Sequence, residues 1–289
     1  MFLAERQNLA RELRQLRQRA GLSTHKLAQR ADIHQSKISR IENTKATISD
    51  TEIEAWAKAC RASTTETSRL LELAERATAE VLNLRTAIRE GLPSIQHNIA
   101  TLEQSATMLR EYQTFLVPGL LQTADYARHL FEIGHSADRS DLPAAVAARI
   151  DRQTLLYNQD HHFEFILTEA ALRWRIATPH VYMAQLDRIA NVATLPNVEV
   201  GILPLAQELP AWHWHSFIIF DDCKSDVDPM VLVETATAAV EVSDEEDVNK
   251  YRKIFADLRG AAITGGSIFQ LLDSIRAGLI SAYREEASA

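Results

Sequence analysis

The sequence predicts a mainly α N-terminal bundle joined to an α+β C-terminal domain with a small mixed sheet. Apolar residues recur at helical spacing through the first sixty positions, whereas short apolar or alternating runs interleave with helical stretches after residue 95. The net charge also changes sign along the chain. Residues 1–62 hold twelve Lys or Arg and seven acidic residues, a balance of +5, which leaves −13 for residues 63–289. These observations indicate two domains of different character.

The clearest local pattern lies in residues 22–46, where two short helices are separated by a tight turn. Leu27, Ala28 and Ala31 share one face of the first helix, with Ser23 and Thr24 placed to cap its start. The second helix, from Gln35 to about Glu42, has polar or basic residues at its outward positions. This pattern is typical of a helix-turn-helix, although a common αα-hairpin with a solvated polar face has a similar one.

Charge favours the helix-turn-helix interpretation. Between Arg6 and Lys45 there are ten Lys or Arg residues against three acidic ones, in a chain whose total is −8. A concentrated positive charge is the electrostatic footprint of a DNA-binding module. Forked Gln and Arg side chains match base edges in the major groove. We therefore expect double-stranded DNA to be a partner.

Residues 9–62 resemble the XRE (Cro/repressor-type) helix-turn-helix domain. The resemblance rests on Leu13-Arg-Gln-Leu16, Ala20-Gly21 and the run Ile38-Ser39-Arg40-Ile41-Glu42-Asn43. It departs from the family pattern at Asp32 and Thr44, where glycine is usual. By position the resemblance assigns base contacts to Gln35, Ser36, Ser39 and Arg40, and phosphate contacts to Thr24, His25, Asn43 and Lys45. We add Lys37 to the predicted phosphate contacts, because an outward lysine on this helix can bind a phosphate. Because one such helix covers few base pairs, the resemblance also implies a homodimer on paired half-sites.

We expect three regions: a DNA-binding domain at 1–64, a connecting long helix at 65–94, and an α+β regulatory or partner-binding domain at 95–289. In the connecting helix an apolar series spaced 4-3-4-3-4 predicts a heptad seam, formed by Leu70, Ala74, Ala77, Val81, Leu84 and Ile88. This seam could dock on its own domain or pair two copies of the chain.

The third region mixes both kinds of element. Helical patterns occur at 95–110, 122–133, 144–158, 180–194, 244–259 and 267–280. The runs that predict strands are Phe163–Leu167, Val198–Leu203, Phe217–Phe220, Met230–Glu234 and Val240–Val242.

This region resembles the WhiJ-like regulators of filamentous actinobacteria, which combine an XRE domain with a large C-terminal domain. The resemblance rests on the segment 115–123 (FLVPGLLQT), Tyr126-Ala-Arg128, Arg149-x-x-Arg152-Gln153 and shorter motifs as far as Tyr251-Arg252. It implies a transcriptional regulator, often described as antitoxin-like, that works with a small protein encoded by a neighbouring gene.

A segment rich in Trp and His, Leu209-Pro-Ala-Trp-His-Trp-His-Ser216, is the most unusual feature of the C-terminal half. Trp212, His213, Trp214 and His215 form a candidate surface for a partner or ligand, because aromatic residues are enriched at interfaces. Two other interpretations stay open. The segment could simply pack at the mouth of the sheet, or His213 and His215 could join Cys223 and another histidine as zinc ligands.

No nucleophile elbow, P-loop or dinucleotide-binding turn is present, so we expect neither an enzyme nor a bound cofactor or metal. Two cysteines and the lack of a long apolar run favour a cytoplasmic protein with no membrane segment. The expected function is that of a sequence-specific DNA-binding transcriptional regulator, with a protein partner or small-molecule effector acting on its C-terminal domain. The alternatives are an interaction scaffold or antitoxin-like protein, and an enzyme-like small-molecule-binding domain with a residual DNA-binding head.

Overall fold

The chain folds into two compact units that do not follow its linear order. The computed structural model describes residues 4–44, 46–83, 91–134, 139–208, 214–223, 228–235 and 238–288. The first unit combines Met1–Asn83 with Cys223–Asn249, and the second combines Leu84–Asp222 with Lys250–Ala289. The first unit is therefore built from two separate stretches of sequence.

Five helices begin the first unit. They are α1 (Ala4–Arg19), α2 (Thr24–Ala31), α3 (Gln35–Glu42), α4 (Asp50–Ala59) and α5 (Thr64–Thr78). Their apolar faces meet in one core around the fully buried Leu13, Leu27 and Trp56. The predicted mainly α N-terminal region is confirmed, and α3 has the predicted bounds.

Local capping explains where these helices start and stop. The Ser23 hydroxyl accepts a hydrogen bond from the Lys26 N–H and caps α2. Ser49 and Glu52 form a reciprocal capping box at the start of α4. Asp32 ends α2 at φ 55° and ψ 40°, the left-handed conformation that a short polar side chain tolerates better than most.

The predicted long helix across 65–94 is wrong at residues 79–83, where the structure has a strand. The chain leaves α5 and enters strand β1 (Ala79–Asn83), in which Val81 is the register partner of Val240. A β-branched residue and an available partner strand override the heptad spacing at this point, because tertiary pairing outweighs intrinsic propensity. Leu84 and Ile88 lie outside the described residues.

Two more strands belong to the first unit. Strand β6 (Met230–Glu234) pairs antiparallel with β7 (Ala238–Val242), and β7 also pairs antiparallel with β1. Both lie where the sequence predicted strands. The described part of this unit is thus a helical bundle accompanied by a three-stranded antiparallel ladder.

The second unit has an α+β fold. Its strands are β2 (Ala106–Gln113), β3 (His162–Thr168), β4 (Val198–Leu203) and β5 (Phe217–Cys223), in the order β5-β2-β3-β4. Strands β2, β3 and β4 are parallel. Its helices are α6 (Leu92–Ser105), α7 (Ala124–Gly134), α8 (Leu142–Asp151), α9 (Glu169–Arg173), α10 (Pro179–Val192), α11 (Glu245–Ala261, which starts in the first unit) and α12 (Ser267–Ser288).

The C-terminal part of the sequence contains both parallel and antiparallel strand pairs, which confirms the predicted α+β class with a mixed sheet. The predicted helix over 95–110 is wrong beyond Ser105, where β2 begins. Strand β2 was missed because Arg110 and Glu111 interrupt its apolar pattern. Both side chains make polar contacts within the second unit, Arg110 with residues far away in sequence.

Within the described part of the chain, none of the helices combines the length and the apolar character needed to cross a membrane.

Candidate nucleic-acid interface

Helix α3 presents a polar row to solvent while its other face is anchored in the core. Ile38 and Ile41 are buried among the side chains of the helical bundle. Gln35, Ser36 and Ser39 are exposed. Since Gln35 and Ser39 are four residues apart, they lie one above the other on the same face of the helix. This arrangement leaves three predicted base-contacting side chains accessible.

Several residues predicted to contact phosphates are engaged inside the first unit. Lys37 Nζ lies 2.8 Å from Glu52 Oε1. The Asn43 side-chain amide donates to the Ser39 carbonyl at 2.8 Å, and the Asn43 amide oxygen accepts from Arg14 at 3.0 Å. His25, by contrast, is exposed on α2 and its ring is 3.2 Å from the Gln29 amide.

Thr24 and Lys45 are the remaining residues predicted to contact phosphates. Thr24 is half-buried at the first position of α2. Lys45 lies outside the described residues.

A buried carboxylate fastens α3 to α1. The Glu42 side chain is only 4% exposed. Arg17 donates to its two oxygens at 2.5 and 2.8 Å, and Arg14 approaches at 3.3 Å. The hydrogen bond to Glu42 raises the pKa of Arg17, outweighing the opposing effect of burial. Two of the arginines counted in the electrostatic footprint therefore support the fold.

Arg40 is also bound within the first unit. One of its terminal nitrogens donates to Asp228 Oδ1, and the other oxygen of Asp228 accepts from the Thr47 N–H at 2.6 Å. Asp228 lies two residues before β6. Of the basic residues in the predicted footprint, Lys26 and Arg30 are exposed and have no ion-pair partner in the described portion of the chain.

The loop after α3 takes a strained path. Thr44, which replaces the glycine of the family pattern, has φ 60°. A β-branched residue in the left-handed region is uncommon and costs free energy. The Thr44 N–H donates to the Ile41 carbonyl at 3.0 Å, so the helix end closes despite this substitution.

Comparison with known families gives two matches. The model described as "Helix-turn-helix domain" matches residues 8–70. The model described as "Domain of unknown function (DUF5753)" matches residues 96–274, more than half of the chain. The chain belongs to the DUF5753 family. It carries a helix-turn-helix domain, a module suited to DNA binding, at its N-terminus. A comparison with curated proteins finds no match.

In this DUF5753 protein the segment 115–123 is joined to α8 by a buried polar network. The Gln122 side chain donates to the Val117 carbonyl at 2.7 Å and accepts from Arg149 at 2.7 Å. Gln153 donates to the carbonyls of Gly119 and Gln122 at 3.1 and 2.8 Å. Arg149 and Gln153 therefore hold this segment in place.

Arg152 lies beside Gly119 and explains why that position has no side chain. A Cβ atom at Gly119 would approach an Arg152 terminal nitrogen to 2.2 Å. The Arg152 side chain is 6% exposed and pairs at 3.3 Å with Glu103, which is 3% exposed. Burial raises the pKa of Glu103, and the nearby charges of Arg152 and Arg149 only partly oppose that shift. Sequence reasoning missed Glu103, because a single glutamate in a helical pattern carries no signal of burial.

The Trp and His segment is only partly described. Trp212 and His213 lie outside the described residues, whereas Trp214 is 68% exposed. The His215 ring is 3.0 Å from the Tyr251 hydroxyl, and burial lowers the pKa of His215. Across the described part of the chain, no group of three His, Cys, Asp or Glu side chains could hold a metal ion.

The second unit also has a charged cavity of about 630 Å³ beside α11. Arg259 donates to Glu199 at 2.8 and 2.5 Å, and Arg110 donates to Glu164 at 2.8 Å and to Asp221. Arg252 donates to Asp221 at 3.0 Å. Each of these arginines is thus neutralised by a carboxylate, which makes the lining an ion-pair network.

Proposed function

We propose that this protein is a sequence-specific DNA-binding transcriptional regulator of the XRE type, similar to the WhiJ-like regulators. The observation that carries this proposal is the polar row of α3: Gln35, Ser36 and Ser39 are exposed while Ile38 and Ile41 fix the helix from behind. A helix held rigidly by its apolar face can enter the major groove with its polar side chains directed at base edges.

Fewer basic side chains are available to bind phosphates than the sequence suggested. Lys26, Arg30 and His25 are exposed on α2, close in sequence to α3, the proposed recognition helix. Arg14 and Arg17 are used to hold Glu42. We therefore expect few phosphate contacts per copy. The logarithm of the binding constant should fall with the logarithm of salt concentration with a slope of about −0.9 per phosphate neutralised.

The test is binding by the full-length protein to a duplex selected from a randomised library, measured by fluorescence anisotropy. Gln35→Ala should weaken specific binding by about 1–3 kcal/mol, since it removes one base contact. Gln18→Ala is the matched control, because Gln18 is an exposed glutamine in the cleft between α1 and α5. Equal affinity of wild type and Gln35→Ala would refute the assignment of α3.

The C-terminal domain would receive the regulatory input, from a small protein encoded by a neighbouring gene. Trp214 supports a partner surface because a large aromatic side chain that is 68% exposed is typical of an interface anchor. Trp212→Ala combined with Trp214→Ala should abolish the response to that protein in a gel shift and leave DNA binding by the isolated regulator unchanged. Trp174→Ala is the control, because Trp174 is exposed in the same unit and stacks edge-on with Phe115.

The role of partner binding decides between regulator and antitoxin-like protein. If the neighbouring protein binds but does not alter DNA affinity, neutralisation of that protein becomes the favoured function. We propose no catalytic activity. Turnover of a small molecule by the purified protein, sensitive to Arg259→Ala in the charged cavity, would contradict that proposal.

We also propose a homodimer, as two half-sites require. The heptad seam predicted in the connecting helix at 65–94 loses its support as a dimer interface because α5 ends at Thr78. Sedimentation of the full-length protein with and without the selected duplex measures the oligomeric state directly.

A further inference from the structure

The recognition helix is tied to a segment distant in sequence but within the same compact unit. Asp228 bridges two points: its Oδ1 accepts from Arg40, and its Oδ2 accepts from the Thr47 N–H at 2.6 Å and from the Thr47 hydroxyl at 3.3 Å. One carboxylate therefore holds both the last turn of α3 and the loop that follows it.

This contact engages one of the terminal nitrogens that Arg40 would use to bind DNA. A guanidinium reads guanine by donating two parallel hydrogen bonds from its fork. In the structure one terminal nitrogen donates to Asp228, and the Arg40 Nε is buried with no hydrogen-bond partner among the described residues. Arg40 cannot bind Asp228 and a base edge with the same nitrogen at the same time.

The charge of Asp228 opposes DNA in a second way. A carboxylate beside the recognition helix would face the phosphates of an approaching duplex, and this repulsion adds to the loss of the Arg40 contact. Neither partner of the pair is deeply buried, since the side chains of Arg40 and Asp228 are 28% and 26% exposed. Solvent-accessible ion pairs of this kind are weak enough to open.

We propose that Asp228 is an autoinhibitory residue that holds Arg40 in a closed state and lowers the affinity of the recognition helix for DNA. The inference rests on the proposed function, because it requires Arg40 to contact DNA. The apparent dissociation constant then equals the intrinsic constant divided by the fraction of molecules in which the Arg40–Asp228 pair is open. A signal that draws Asp228 away from Arg40 would activate binding.

Asp228→Asn in the full-length protein is the decisive variant. Asparagine keeps an oxygen that can accept from the Thr47 N–H, so the loop retains its support, while the charge that attracts Arg40 is lost. Binding to the selected duplex should tighten about threefold to tenfold, as expected for loss of a partly exposed ion pair. Equal melting temperatures of wild type and variant establish that the fold is unchanged.

Two controls distinguish the release of Arg40 from the general effect of removing a negative charge. Glu54→Gln removes one charge from an exposed position on α4 and should leave affinity nearly unchanged. In an Arg40→Ala background, Asp228→Asn should give a clearly smaller gain, because only the repulsion between Asp228 and the phosphates is left to relieve. A gain as large as in the wild-type background would overturn the autoinhibitory role of Asp228 in favour of simple charge removal.

The remaining outcomes are equally distinct. If Asp228→Asn leaves binding unchanged or weakens it, while Gln35→Ala still weakens it, Asp228 does not inhibit and the proposed function stands. If neither wild type nor Asp228→Asn selects any duplex, both the proposed function and the autoinhibitory role of Asp228 are refuted. If only Asp228→Asn selects a duplex, the closed state of the wild type is strong and the inference is upheld.

Discussion

The two units of the molecule use arginine and acidic side chains in contrasting ways. In the helical bundle, Arg14 and Arg17 surround one buried carboxylate at the edge of an otherwise apolar core. In the second unit, Arg149 lies within a network of amides and main-chain carbonyls that fixes the segment 115–123, and the neighbouring Arg152 pairs with the buried Glu103. The first arrangement supplements a core that periodicity already specifies, whereas the second replaces apolar packing with directional bonds.

That difference teaches how much information each arrangement requires. A helical stripe tolerates exchange among similar apolar residues, because only shape and volume must fit. A buried polar network must satisfy every member, so each of its residues is specific.

The largest expected effect comes from breaking the buried pair of the second unit. Arg152→Ala removes the partner of Glu103 and should lower the free energy of unfolding by about 3 kcal/mol, the range for a buried ion pair cut on one side. Urea unfolding of the full-length protein measures the loss. Arg152→Met combined with Glu103→Leu removes both charges and should recover most of the stability.

The pH dependence of the stability lost in Arg152→Ala provides a further check. Since burial raises the pKa of Glu103, the folded state takes up a proton more readily than the unfolded state. The stability that protonated Glu103 contributes is therefore present below the pKa of Glu103 in the unfolded chain. It is lost as pH rises through the pKa of Glu103 in the folded state. The deficit of Arg152→Ala should shrink on acidification. A deficit independent of pH would place its origin elsewhere.

A smaller effect is expected from the carboxylate of the helical bundle. Glu42→Ala leaves the half-buried Arg17 guanidinium without its acceptors and should cost about 2 kcal/mol. Faster hydrogen exchange across α3 would locate the damage. Glu12→Ala on α1 breaks a more exposed pair with Arg69 of α5 and should cost under about 0.5 kcal/mol. Similar losses of stability in both variants would show that the contacts of Glu42 stabilise the fold no more than an exposed ion pair does.

The smallest effect concerns His215. Burial lowers the pKa of His215, so the folded state resists the proton that the unfolded chain accepts. The stability from this site is present above the unfolded pKa and is lost as pH falls below about 6.5. The loss should amount to roughly a few tenths of a kcal/mol because solvent still screens the ring. An NMR titration that placed the pKa of His215 at or above 6.5 would contradict the prediction.

The sequence predicted those elements whose periodicity is local. The bounds of α3, β4 and β6 agree with the runs from which they were inferred. The Ser49–Glu52 capping box was also readable, because both partners lie within one turn. Exposure of Gln35, Ser36 and Ser39 followed from the burial of Ile38 and Ile41 on the opposite face.

What the sequence did not reveal depends on contacts between distant residues. Strand β1 continues a helical pattern and is a strand because β7, more than 150 residues later, pairs with it. The partner of Arg40 lies 188 residues away, so counting charges near α3 overstated the positive footprint. Glu103 and Arg152 likewise meet only in the folded chain.

The discontinuity of the first unit has a consequence for its biosynthesis. Strand β1 emerges from the ribosome with no partner, and β7 follows only after the strands and most of the helices of the second unit have been made. At about 5–20 residues per second, this interval lasts on the order of ten seconds. Asp228 is also translated late, just before β6. A nascent chain with a folded helical bundle would therefore carry Arg40 without its Asp228 partner for a comparable interval, because Asp228 is synthesised 188 residues after Arg40.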